Sequence, residues 1–303
     1  MEEGCINRPA TKQSGATCWF NAILNGFVTS KYGQVIMYKA LANYMQRHVA
    51  TKKEYEDFTS SNLTCVIPGK LHSRFNFYKW LYHWLVIGLP VVERNTRNVM
   101  KNLVSVKRGN LSETHQHPAI GLFQILERMD IKNFLAFNLI TRQLLFPPPR
   151  NIEAPDFLVF ATEFLNTNVK QGSFGPIIPE IFEAPQFGTG VYRLDHMCIG
   201  IALAGAGVHS SHAITGIRCI RTGTYQIIDS NIDFIFNCDW RKLDNVANNT
   251  GYQAACIQTY NAIPTNPMLC FVTYVRPNID TNILNMNRMN IRPEKMLQKY
   301  MKL

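Results

Sequence analysis

Three consecutive prolines separate two stretches of this chain that differ in apolar spacing. The segment Phe146-Pro147-Pro148-Pro149-Arg150 cannot continue a helix, because each ring removes a backbone donor and crowds the preceding turn. Before it, apolar residues recur at helical spacing. Trp19, Phe20, Ile23, Leu24, Phe27 and Val28 form an i, i+3, i+4 stripe that predicts an amphipathic helix over 18–29. Weaker stripes predict helices over roughly 34–49, 76–88, 119–129 and 133–145. After the prolines the pattern turns to short β-branched and aromatic runs. Strands are expected at 192–204, 213–220, 224–229, 254–260 and 268–275, with turns at Gly205-Ala206-Gly207 and Arg221-Thr222-Gly223; residues 156–165 fit either state. The expectation is an α+β fold with a helical lobe over about 1–146 and an antiparallel β lobe over about 150–276. A cleft between two such lobes is a natural site. A basic tail, 277–303, follows, in which Met286, Met289, Ile291, Met296 and Leu297 could line one face of a short helix.

Hydrophobic residues at 46% and charged residues at 17% place the chain among globular proteins and away from disordered ones. The acidic start, Met1-Glu2-Glu3, is unlike a signal peptide. The longest apolar run, near 80–92, is interrupted by His83 and Pro90. A soluble, intracellular, cytoplasmic protein without a membrane span is therefore expected. Cysteines stand at 5, 18, 65, 198, 219, 238, 256 and 270 with no CxxC pair, so reduced thiols, no metal site and no cofactor are expected. The net charge of +10 is concentrated in 31–110 and in the tail. Such an excess can attract a polyanion such as nucleic acid, but no nucleic-acid motif accompanies it and a solvated helical face accounts for it.

Cys198, Cys219 and Cys270 sit in strand-like runs and read as packed thiols. Cys18 differs. It follows a Gly-containing turn and opens the first apolar stripe, so it occupies a helix N-terminus, where about half a positive charge favours a thiolate. Its backbone N–H and the side-chain amide of Gln13, five residues earlier, could together hold an oxyanion. A thiol nucleophile also needs an imidazole. His212 precedes the apolar run Ala213–Ile217, and a hairpin through Arg221–Thr224 returns along Tyr225–Ile228 to Asp229. That length brings Asp229 beside His212, where it could orient the ring as the third member of a triad. Asn231 is the alternative third member, since an amide can do the same.

These segments resemble the ubiquitin-specific proteases, a papain-like cysteine protease family. Gln13, Gly15, Thr17, Cys18, Trp19, Asn21 and Ala22 fall without a gap on that family's cysteine box, which usually has Asn where Gln13 stands. Tyr192, Leu194, the Gly205/Gly207 loop, His212, Tyr225 and Asp229 follow the order of its histidine region, and Leu269–Arg276 is similar to its last strand. The resemblance covers about 14–28 and 190–276. Ala213 stands where the family has Tyr, Asp229-Ser230 where it has an acidic pair, and the CxxC pairs of its zinc-braced finger are missing. The resemblance implies one papain-like catalytic domain over 1–276, its helical half carrying the nucleophile helix and its β half carrying His212 and Asp229. It implies a Cys18–His212–Asp229 triad with Gln13 as oxyanion donor. The implied activity is that of a thiol isopeptidase, with conjugates of ubiquitin or a ubiquitin-like protein as partners. Two other readings are a papain-like peptidase processing other proteins, viral ones among them, and a catalytically idle protease-like module that binds or builds. The Asn- and Ile-rich composition and minimal domain resemble proteins of large DNA viruses, for which the host cytoplasm or the virion would be the compartment.

Overall fold

Cys18–Thr29 forms helix α1, and every residue of it after Cys18 is buried, so this is a core helix and not a surface one. The structure, a computed structural model, describes residues 13, 17–49, 51–60, 72–87, 117–147, 154–162, 174–185, 190–205, 208–219 and 222–277. The predicted helices at 34–49, 76–88 and 119–129 appear as α2 (Lys31–His48), α4 (His72–Tyr82, running into a π-helical turn, His83–Ile87) and α5 (Pro118–Arg128). Between them lies α3 (Lys52–Thr59), which apolar spacing alone did not reveal. Its start is written in a capping box, with Thr51 and Glu54 each bonded to the other's backbone N–H.

Eight strands, all but the first lying after the prolines, build one sheet. Its strands are β1 (Phe134–Asn138), β2 (Phe157–Ala161), β3 (Ile181–Glu183), β4 (Val191–Gly205), β5 (Val208–Arg218), β6 (Tyr225–Ile228), β7 (Ile235–Asn237) and β8 (Ile263–Val275). They lie in the order β1-β2-β8-β4-β5-β6-β7, with β3 also on β4. All pairs are antiparallel except β1 with β2. The chain is thus α+β, with a helical N-terminal half and a C-terminal sheet, but the sheet is not purely antiparallel. Between β7 and β8 come α6 (Asp244–Ala247) and α7 (Thr250–Tyr260). Among the described residues no helix is long and apolar enough to cross a membrane.

Four expectations are corrected. The apolar stripe at 133–145 is not a helix. It is β1 followed by a turn, in which Asn138 Oδ1 accepts from the N–H groups of Ile140 (2.7 Å) and Thr141 (2.9 Å) and ends the strand. A strand buried on both faces has a continuous apolar run, which spacing cannot tell from a buried helix. Residues 254–260 are not a strand but the body of α7. Asn249 caps its start by accepting from Tyr252 N–H, and Asn261, at φ 53°, ends it in the left-handed conformation. Cys219 is engaged in a disulfide, so the thiols are not all reduced; Cys18, Cys198, Cys238, Cys256 and Cys270 are free. His212 lies inside β5, opposite Ile201, and does not begin the strand. The tail from residue 278 lies outside the described residues.

Each face of the sheet carries its own core. On one, α1, α2, α4 and α5 pack around Cys198, Ala213 and Phe271. On the other, Tyr192, Leu194, Ile214, Trp240, Tyr252 and Tyr274 are buried together. α1 is pinned to the sheet by polar bonds as well. Thr215 Oγ1 on β5 donates to the Ala22 carbonyl at 2.7 Å. A register shift at Asp195 on β4 marks a bulge, which re-aims its side chain toward the helices. There Asp195 accepts from Ser30 Oγ (2.6 Å) and from the N–H groups of Tyr32 and Gly33 (both 3.1 Å), capping α2. Neighbouring His196 bonds Asp195 through Nδ1 at 2.8 Å and lies under Gly26, where an added Cβ would come within 2.5 Å of its Cδ2.

Because that ring is fixed by Asp195, it cannot yield. Gly26→Ala should therefore lower the unfolding free energy by about 1–3 kcal/mol in a urea titration, more than the ~1 kcal/mol that alanine contributes to a helix. An unchanged midpoint would mean that α1 can lift from β4 at no cost.

Candidate active site

Cys18 is the first residue of α1, preceded by Thr17 as N-cap. Thr17 makes no side-chain cap bond, and the first turn contains no acidic residue. The positive end of the helix is therefore not neutralised by a carboxylate of its own and acts on the Cys18 sulfur. Cys18 is half-buried and carries a hydrogen bond to His212, while the N–H groups of Ala213 and Trp19 also donate to its sulfur. His212 and Asp229 are both buried, and His212 Nε2 meets Asp229 Oδ1 at 2.9 Å. With Nε2 on Asp229, the ring nitrogen left for Cys18 is Nδ1. The β5–β6 hairpin brings this about, since Thr215 pairs with Ile228 and the strand ends run on together toward His212 and Asp229.

The charges of the three groups support one another. Burial opposes ionisation of the Cys18 thiol, but the His212 bond and charge and the two N–H groups outweigh it, and the thiol is held below its ordinary range. Burial also opposes the imidazolium, yet the charge and hydrogen bond of Asp229, aided by Cys18, raise His212 to about 10. Burial would push the Asp229 carboxyl up, but the charge and bond of His212, the Asn231 N–H and Tyr260 hold it below the usual carboxylate range. The three shifts together favour a thiolate–imidazolium pair backed by a carboxylate.

The other predicted residues stand around this chain. Gln13 is tied to the loop after Asp229: its N–H donates to the Ser230 carbonyl at 3.1 Å, and Ser230 Oγ donates to its Oε1 at 3.5 Å. Asn231 meets Asp229 through its backbone N–H at 2.9 Å, and its side chain bonds Tyr260. The carboxylate on the imidazole is that of Asp229. Sequence reasoning missed Tyr252 and Tyr260, whose hydroxyls both donate to Asp229. They share one face of α7 at a spacing of eight, a signal that a strand assignment over 254–260 hides. The buried Asp195–His196 pair was also missed. It belongs to the far end of α1, beneath Gly26, and is separate from Cys18. Among the described residues no group of three or more His, Cys, Asp or Glu could hold a metal.

No protein-family model matches the chain, and no curated protein matches it. Solved structures that it is similar to include an essential yeast splicing factor, at 11% identity and a TM-score of 0.37, covering 78% of this chain and 65% of that one. Another is the SAGA Ubp8/Sgf11/Sus1/Sgf73 DUB module, at 9% identity and a TM-score of 0.41, covering 90% of this chain and 68% of that one. The chain thus spans just under two thirds of the first structure. Scores this low bear on neither activity nor substrate.

The thiolate–imidazolium pair exists above the lowered Cys18 value and below the raised His212 value of about 10. Alkylation of Cys18 by iodoacetamide at pH 6, followed by peptide mass, should outpace that of an ordinary thiol. Cys238 and Cys256, pushed up by burial to about 11 and about 12, should stay unlabelled there. His212→Ala should slow Cys18 labelling at pH 6 at least about tenfold. Equal rates would mean that the thiol ionises without the imidazole.

Proposed function

We propose that this protein is a papain-like cysteine peptidase, with a single catalytic domain over 1–276, acting as an isopeptidase on conjugates of ubiquitin or a ubiquitin-like protein. The observation that carries the reading is the unbroken chain from the Cys18 sulfur through His212 to Asp229 at the N-terminus of a buried helix. The narrower assignment to ubiquitin is supported by the ungapped cysteine box from Gln13 to Ala22.

The Cys18 thiolate attacks the carbonyl carbon of the scissile amide, forming a C–S bond while the carbonyl oxygen takes the negative charge. Gln13 and the Cys18 N–H are the donors for that oxyanion. The C–N bond then breaks, and the His212 imidazolium gives its proton to the departing lysine amine. Neutral His212 next takes a proton from water, which attacks the thioester and frees the carboxylate and the thiolate. Asp229 keeps the ring oriented and favours its charged form throughout.

A ubiquitin carrying a C-terminal thiol-reactive warhead should form one adduct, seen as intact mass, that Cys18→Ala abolishes. Gln13→Ala should lower kcat about 10²–10³-fold with the adduct site unchanged. Alkylatable Cys18 without an adduct would discard ubiquitin and favour a peptidase of other proteins, a reading that Ala213 after His212 already admits. A Cys18 inert to both reagents would favour a catalytically idle module.

A further inference from the structure

Asp229 has more donors than an orienting carboxylate needs. Its Oδ1 accepts from His212 Nε2 (2.9 Å), the Asn231 N–H (2.9 Å) and the Tyr260 hydroxyl (2.8 Å). Its Oδ2 accepts from the Tyr252 hydroxyl (2.9 Å), with the Tyr260 hydroxyl 3.0 Å away. Both tyrosines come from α7, with Cys256 buried between them on the same face. The Tyr260 oxygen also lies 3.2 Å from His212 Nε2. A hydroxyl has one proton, and an ionised carboxylate can only accept, so that proton goes to Asp229. The Tyr260 lone pair then faces the Nε2–H. One hydroxyl thus donates to the anion and accepts from the cation of the same ion pair.

We infer that Tyr260, with Tyr252 behind it, is a positioning residue of this site: α7 clamps the Asp229 carboxylate and, through Tyr260, shares the imidazolium N–H of His212. The inference rests on the catalytic reading of Cys18, His212 and Asp229, but not on which protein is cleaved. The titratable groups facing the clamp are Cys18 from α1 through His212, and Cys256 and Tyr252 from α7 itself. Burial and the Asp229 charge push both tyrosines above their ordinary range, so they remain protonated donors. Packing alone would need neither hydroxyl, since phenylalanine fills the same space.

The test is the pH profile of Cys18 alkylation by iodoacetamide in the full chain, with melting temperature measured alongside. Tyr260→Phe removes a donor from Asp229 and an acceptor from Nε2–H, so the ion pair that holds the thiolate is weakened and fast alkylation should set in at higher pH. The acid limb should rise by about half a pH unit or more. Tyr252→Phe removes only a donor and should raise the acid limb by less; it carries the test if Tyr260→Phe does not fold. In an Asp229→Asn background, Tyr260→Phe should no longer move the acid limb. An unchanged acid limb in the single variants, with or without a lower melting temperature, would overturn the inference, as would a full additive shift in the Asp229→Asn background. Because the reagent is small, loss of the ubiquitin adduct with these shifts intact would remove the ubiquitin reading and leave the clamp standing. A parent Cys18 that no pH makes reactive would remove both.

Discussion

The seating of α1 on the sheet is the constraint on which the rest of the molecule depends. A helix buried on all sides must be held at one height and one rotation, or its whole surface loses contact. Three features set that position. Gly26 lets the backbone approach the His196 ring, Thr215 ties the Ala22 carbonyl to β5, and Asp195 holds the α1–α2 corner through Ser30, Tyr32 and Gly33. Cys18 lies about one turn, ~6 Å, before Ala22. Ala213 lies two residues before Thr215 on β5 and gives its N–H to the Cys18 sulfur. The contact between the candidate nucleophile and its imidazole is thus the far end of a joint made along the length of the helix.

The electrostatics follow from that joint. A half-buried thiolate is unfavourable without compensation, and so is a buried imidazolium or a buried carboxylate. Each charge in the series Cys18, His212, Asp229 lies beside its opposite, and the terminal carboxylate is satisfied by Asn231, Tyr252 and Tyr260. The second buried pair, Asp195–His196, has the same two residue types, yet its carboxylate is spent on capping α2 and no thiol faces its ring among the contacts described. The same pair serves architecture in one place and, in the proposed reading, chemistry in the other. The difference is what lies on the ring's second nitrogen.

How much of this was legible depended on distance along the chain. The 18–29 stripe is dense and local, and it gave the helix and Cys18 at its start. The hairpin from His212 to Asp229 is also local, because a short turn and strand alternation together define which ends meet. The errors fell where a short apolar run has two physical readings. The apolar run at the start of 133–145 fits a buried helix and a buried strand alike, and only a partner strand, β2, makes Phe134–Asn138 β1. Residues 254–260 look β-like until the Asn249 cap is counted, and the clamp on Asp229 went unseen with it.

By itself the sequence determined the helical and β-rich halves, the place of Cys18 at a helix N-terminus and the pairing of His212 with Asp229. Each is a matter of periodicity or of a single hairpin, and such terms are decided by neighbours within one turn or one loop. Only the tertiary structure decided that Asp195 caps a helix more than 160 residues earlier, that β1 joins the sheet in parallel, and that Tyr252 and Tyr260 converge on a carboxylate from another element. Those contacts join segments whose separation carries no local signal, and they form because buried polar groups must find partners wherever the packed chain brings them.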